Sequence, residues 1–183
     1  MRIPTLLLVI GSALSLTGCA SKLVTLNPPV GKAEAIPEPA LAGLWISEDG
    51  EDSYLVRESG SEYEISYKSR ASNGDSAIEA AFRGRFFKVG GAEFLDIVSV
   101  KDDPYQLPVH MMVRIWVEGA TLRWAYLESD WLIQQAAREL ATTAGTNDRT
   151  VIVSPGEAVR DFLANYGVDS KAYDEQHALR KGS

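Results

Sequence analysis

Three residues in this chain are of types scarce enough to limit its chemistry: one cysteine, Cys19, and two histidines, His110 and His177. A lone thiol closes no intramolecular disulfide, so the fold must rest on its core. A zinc-type centre draws three or four ligands from Cys, His and carboxylates. A terminal cysteine and two distant histidines do not supply that set, and no metal or cofactor is expected. The acidic run "SEDGED" at 47–52 offers the oxygen ligands calcium takes, but it lacks the alternating pattern of an EF-hand loop and reads as a solvated hairpin tip. For acyl transfer or hydrolysis, His110 is the candidate base and Asp96 its orienting carboxylate, because "EFLDIVSV" and "HMMVRIWVE" are expected to pair as neighbouring strands. No Gly-x-Ser-x-Gly elbow accompanies them. The plainer reading of His110 is a strand-end residue with local hydrogen bonds.

The surroundings of Cys19 give its thiol a different use. Met1-Arg2 and the apolar stretch "IPTLLLVIGSALSL" form a secretory h-region, shorter than the roughly 20 residues a spanning helix needs. Leu16, Thr17, Gly18 and Cys19 then resemble the lipobox of bacterial lipoproteins. The resemblance implies a signal peptide over 1–18, cleavage before Cys19, a diacylglyceryl group on its sulfur and an acylated amino terminus. More than one acyl chain makes anchoring stable without a span. In such lipoproteins an Asp after the cysteine favours retention at the inner membrane; Ala20 stands here, which implies the outer membrane, with the domain facing the periplasm.

Residues 19–40, with Pro28, Pro29, Pro37 and Pro39, read as the lipidated cysteine and a flexible, extended tether, with a first strand around Leu23–Leu26 as the alternative. The remainder, 41–183, is expected to be a single β-rich domain with C-terminal helices. Its balance is acidic, 18 basic against 25 acidic side chains in the whole chain, and loss of Arg2 with the signal makes it more so. That argues against nucleic acid as a partner.

Period-two alternation predicts strands in "LAGLWIS", "SYLVRES", "SEYEISYK", "AIEAAFRGRFFKV", "EFLDIVSV", "HMMVRIWVE" and "TLRWAYL", separated by turn signals such as Asn73-Gly74, Gly90-Gly91 and Glu118-Gly119. Val151–Val153 is expected as an eighth strand. "SDWLIQQAARELATTAG" predicts a helix capped by Ser129, and "SPGEAVRDFLANYG" a second, with a Ser154–Glu157 capping box and a buried stripe of Val159, Phe162, Leu163 and Tyr166. The tail with His177 is expected as a short, fraying helix.

So many antiparallel strands leave open edges unless the sheet closes. The expected fold is mainly β, an antiparallel meander closing into a small barrel, with a β-sandwich or an open α+β sheet as alternatives. Gly43-Leu44-Trp45 at the start of the first strand resembles the Gly-x-Trp signature of lipocalins and related calycin barrels, with Arg114 or Arg123 as the basic residue to cover Trp45. "FLDI", "LPVH" and "SDWL" are similar to stretches of uncharacterised bacterial envelope lipoproteins, which implies no activity.

Inward residues of an eight-stranded barrel either fill it or line a cavity for one small ligand. Trp45, Tyr63, Tyr67, Trp124 and Tyr126 are the candidate ligand-binding residues. The function expected is that of a membrane-anchored, non-catalytic barrel binding a small hydrophobic ligand or an envelope protein. An envelope-anchored hydrolase using His110 and a purely structural interaction module are the alternatives.

Overall fold

The computed structural model describes residues 22–70, 77–100 and 107–182. The signal segment, Cys19 and the Asn73-Gly74 turn lie outside them. In chain order the elements are β1 (Leu23–Thr25), β2 (Gly43–Ser47), β3 (Asp52–Ser59), β4 (Glu62–Ser69), β5 (Ile78–Val89), β6 (Ala92–Ser99), β7 (His110–Glu118), β8 (Thr121–Tyr126), α1 (Asp130–Glu139), β9 (Thr142–Ala144), β10 (Thr150–Ile152), α2 (Gly156–Phe162) and β11 (His177–Lys181).

Strands β2 to β8 pair in sequence order, each antiparallel to the next. Strand β11 then pairs with β8 on one side and β2 on the other, closing an eight-stranded barrel. Alternation sorts the side chains. On β4, Tyr63 and Ile65 are buried inward while Glu64 and Lys68 are exposed. Closure removes the two unpaired edges that a meander would present to other chains.

The seven expected barrel strands are all present, but the eighth is not Val151–Val153. It is β11, in the tail expected to fray as a helix. "HALRK" is too short for its alternation to be read with confidence from sequence, yet it puts Leu179 in the core while Ala178 and Arg180 face outward. Its backbone hydrogen bonds exist only because β2 and β8 offer two open edges at the right separation. Thr150–Ile152 instead forms β10 of a small annex, antiparallel to β9 and parallel to β1.

Residues 22–40, expected as a flexible tether, lie against the barrel. Strand β1 continues the wall along β7, through Val24–Met111 and Thr25–His110, where β8 departs after Tyr126. Leu23 and Val24 are buried, as is Val30, whose carbonyl accepts from the Arg85 guanidinium at 3.2 Å. At Gly156 a Cβ would stand 1.9 Å from the Pro28 carbonyl oxygen, so the chain passes closer there than any side chain allows. Three apolar residues inside a proline-rich run carry little periodic signal; the partners that bury them are remote in sequence.

Helix α1 is capped as expected, Ser129 Oγ accepting from Leu132 N at 3.1 Å. It ends at Glu139, short of the predicted Gly145, because the β-branched pair Thr142-Thr143 joins β10. Helix α2 lacks the predicted capping box. Ser154 Oγ accepts from Ala141 N at 2.8 Å, and Pro155 occupies the cap position. The chain continues through a π-helical turn, Leu163–Gly167, and Val159, Phe162 and Leu163 are buried.

The apolar residues divide into two cores. One lies inside the barrel, around Trp45, Tyr63, Phe86, Ile115 and Leu179. The other lies outside the wall, where Phe87, Phe94 and Met112 of β5, β6 and β7 meet Leu23, Leu132, Val159, Phe162 and Leu163.

Candidate functional site: the open end of the barrel

One end of the barrel is plugged. A 3-10 turn at Pro39–Leu41 lays Leu41 across it, and Trp45 Nε1 donates to Leu41 O at 2.8 Å. The Tyr63 hydroxyl accepts from Glu38 N at 2.6 Å, and burial pushes its phenol above the ordinary value. Trp45 and Phe86 have no exposed surface. Lys181 of β11 covers the Trp45 ring, its Nζ 5.2 Å from the centroid. Gly43 makes room for it: its φ is +137°, and a Cβ there would sit 2.9 Å from Lys181 Cε.

The basic cover over Trp45 is therefore Lys181, not Arg114 or Arg123. Arg114 packs outside the wall between Phe94 and Trp116, 5.2 Å from each ring, and burial lowers its pKa from the guanidinium norm. Arg123 also lies over Trp116 and pairs with Glu118. Both alternate with inward residues on their strands, so parity alone directs them outward.

Toward the other end the interior is not filled. A cavity of about 80 Å³ is lined by apolar side chains from seven of the eight strands, among them Val56, Ile65, Phe82, Ile97, Val113, Leu122 and Leu179. Tyr63, Trp124 and Tyr126 of the five predicted ligand residues line it. Trp45 does not; it is part of the plug. Tyr67 does not either, but it packs on Tyr54 at 4.9 Å and donates its hydroxyl to Asp52 Oδ1 at 2.9 Å.

Above the cavity a polar cleft of about 510 Å³ opens between the β2–β3 turn and the start of β11. Ser47, Glu48, Asp49 and Asp52 form one side, and Gln176 and His177 the other. Tyr54, Trp124 and Leu179 border both spaces. The His177 ring stacks on Trp124 at 4.4 Å, and Tyr126 meets the same indole edge-on at 5.1 Å. Trp124 Nε1 is buried and has no hydrogen-bond partner among the described residues. A desolvated, unpaired donor costs on the order of 1–3 kcal/mol.

Asp49 accepts from the Ser47 hydroxyl and from Glu51 N, which hold its carboxyl below the usual aspartate range. Glu48 pairs with Arg180 at 3.2 Å. Among the described residues no ion pair engages Asp49 or Asp52.

The structure does bring together the predicted base and its orienter. His110 Nδ1 lies 2.8 and 2.9 Å from the two Asp96 carboxylate oxygens, and both residues are buried. The pair sits on the outer face of β6 and β7, next to β1, and lines neither the cavity nor the cleft. Opposite His110 stands Thr25, whose hydroxyl donates to Asn27 O at 2.9 Å and accepts from Asn27 N. That hydroxyl is engaged in a local turn rather than in the pair.

Sequence reasoning did not bring Tyr54, Asp52 and His177 together at the mouth, where the structure places them. Tyr54 shares parity with Val56 on β3, a signal that was available. Nothing in the tail distinguishes His177 until β11 is placed in the wall. Among the described residues no helix is long and apolar enough to cross a membrane, and no group of His, Cys, Asp and Glu is arranged to hold a metal. No protein-family model, curated protein or solved structure matches the chain.

Proposed function

We propose that the chain is a lipid-anchored protein of the bacterial cell envelope, held through Cys19 at the outer membrane with its domain toward the periplasm, whose barrel binds a small apolar or amphipathic molecule without transforming it. The observation that carries the binding reading is the hollow, apolar upper half of a barrel plugged at the other end and opening on a wider polar cleft. Ligand sites are commonly concave, mostly apolar and marked by a few placed polar groups. At about 80 Å³ the interior accepts a short apolar segment, while the rest of the ligand stays in the cleft.

The lipobox residues support the anchor. Cys19→Ala is expected to leave the signal uncleaved and to abolish acylation, read by intact mass and membrane fractionation; a correctly processed, membrane-held variant would refute the lipoprotein reading. For binding, titration of the full chain with 1-hexanol and 3,3-dimethylbutyl butyrate, followed by tryptophan emission, is expected to saturate between millimolar and micromolar concentration, about −4 to −8 kcal/mol. A folded chain with no saturable response would shift the reading to an envelope protein partner. Exposed Ile78, at the start of β5, Val100, just past β6, and Leu107, in the connection before β7, favour that second reading.

A further inference from the structure

With Cys19 acylated, the bilayer lies three residues before Lys22. Three fully extended residues reach at most about 11 Å. At Lys22 the chain is already fixed to the domain: its N–H donates to Glu128 Oε2 at 3.2 Å, and its carbonyl accepts from Thr150 N at 2.7 Å. Leu23 and Val24 then enter the core as β1. The proline-rich segment expected to hold the domain away from the membrane is laid on the barrel instead, so the surface around Lys22 stays within reach of the headgroups.

Strand β1 also fixes the direction of arrival. It runs antiparallel to β7, with Thr25 opposite His110, the first residue of β7. The end of β2 and the start of β11 line the open cleft, and antiparallel alternation around the barrel puts the start of β7 at that same end. The chain therefore leaves the membrane running toward the mouth. Its register puts Lys22 level with Val113. To lower the mouth onto the bilayer, residues 19–21 would have to double back beside β1 for about 10 Å, nearly their whole reach. To stand the barrel on its plugged end, they would have to descend the rest of β7, Val113 to Glu118, about 16 Å of strand. The orientation that remains lays the barrel on the flank carrying β1 and the β9–β10 hairpin.

The charges of that flank suit the position. Strands β1 and β10 are parallel, with Leu23 beside Thr150, so Lys22 and Arg149 stand side by side one residue earlier. Lys22 is exposed, and among the described residues no carboxylate pairs with either cation. Two carboxylates stand near them: Glu128, turned to Lys22 N, and exposed Asp148 in the hairpin turn. These four charges cancel in a chain whose net charge is −7, so this flank escapes the repulsion an anionic bilayer exerts on acidic surface.

We propose that the flank formed by β1 and the β9–β10 hairpin is a membrane-contact surface, seated on phospholipid headgroups through Lys22 and Arg149, and that the barrel mouth opens along the membrane into water rather than into the bilayer. This rests on the lipid anchor proposed above and adds the face that the anchored domain presents to the lipid. A ligand then reaches the cavity through the aqueous phase.

Cys19 is the only cysteine, so once it is acylated a single introduced thiol can be labelled alone. Thr146→Cys on the hairpin, Glu48→Cys at the mouth and Arg57→Cys on β3, across the barrel from β7, are all at exposed positions. Each full-length processed variant is labelled with bimane and reconstituted into vesicles of phosphatidylethanolamine and phosphatidylglycerol carrying a headgroup-nitroxide lipid, a short-range quencher. Quenching is expected to be strong at position 146 and near background at 48 and 57. Adding Lys22→Glu is expected to cause a loss of quenching at 146 while the chain stays with the vesicles; unchanged quenching there overturns the seating through Lys22. Equal quenching at all three positions, or the strongest at 48, overturns the contact surface and leaves the anchor standing. A parent chain that takes up bimane at Cys19, or one that floats free of the vesicles, overturns both.

Discussion

The two cores of this molecule draw on the same strands and meet opposite fates. Inward from β6 and β7 lie Leu95, Ile97, Val113 and Ile115, bordering a space that is partly empty. Outward from the same strands lie Phe94 and Met112, with no exposed surface, under α1, α2 and β1. The outer core is filled because separate elements can slide and rotate until they touch. A closed barrel has a radius fixed by its strand number and stagger, so side chains must fill it or leave a cavity. Filling succeeds at the plugged end, where Trp45, Tyr63 and Phe86 meet, and fails above them. A sealed outer layer that holds one flank of the wall rigid, and a hollow inner one open at the far end, is the division of labour that the proposed binding function calls for.

The comparison can be broken most severely by truncation. Phe162→Ala in the outer core is expected to cost about 3–5 kcal/mol, the range for a fully packed ring. Leu122→Ala, beside the existing cavity, is expected near the lower end of about 2–5 kcal/mol, since part of its surface already lacks partner atoms. Urea midpoints of the two variants decide it; a larger loss at Leu122 would mean the interior is tightly packed.

Gly156→Ala comes next. The added methyl collides with the Pro28 carbonyl, and separating β1 and its neighbours from α2 is expected to cost about 1–3 kcal/mol, as overpacking does. Limited proteolysis should then cut within residues 22–40 sooner than in the parent. Unchanged resistance would show that this segment lies on the barrel without contributing to it.

Val56→Ile sharpens the contrast from the other side. One more methyl pointing into the cavity is expected to raise stability by about 0.5–1 kcal/mol, the usual gain from filling a void, and to weaken binding of 3,3-dimethylbutyl butyrate. A destabilised variant would contradict an unfilled interior.

The smallest effect expected concerns acid. Glu62 on β4 bridges Arg85 at 2.8 Å and Lys32 at 2.8 Å, tying the 22–40 segment to the wall. Burial alone would raise its pKa, but the two cations outweigh it and hold the carboxyl below the ordinary glutamate value. A depressed folded-state pKa contributes stability above the unfolded value, about 4.3, and that contribution is lost as pH falls through the folded value. Glu62→Gln is therefore expected to be less stable at pH 6 and to decline less steeply below about pH 4.3, in urea midpoints measured against pH. An unaltered acid slope would show that the bridge is screened away.

Much of the barrel was legible because alternation is a local property. Tyr63 and Ile65 against Glu64 and Lys68 declare a face before any partner is known. The near-continuous apolar run "HMMVRIWV" also announced, in retrospect, a strand buried on both sides, and the outer core is its second side. Ser129 declared a cap and kept it. Ser154 declared one too, but the Ala141 amide, brought alongside by the annex, took its oxygen instead.

By itself the sequence determined the strand parity, the positions of the turns between the described strands and the start of α1, all of which depend on neighbours a few residues away. Only the tertiary structure decided that "HALRK" closes the barrel, that Leu23–Thr25 joins its wall, that Lys181 covers Trp45, and that Trp124 borders both the apolar cavity and the polar cleft. Each of these is a meeting of segments tens of residues apart or more. Such meetings follow from which edges remain open and how much space the barrel leaves, quantities that exist only once the sheet has closed.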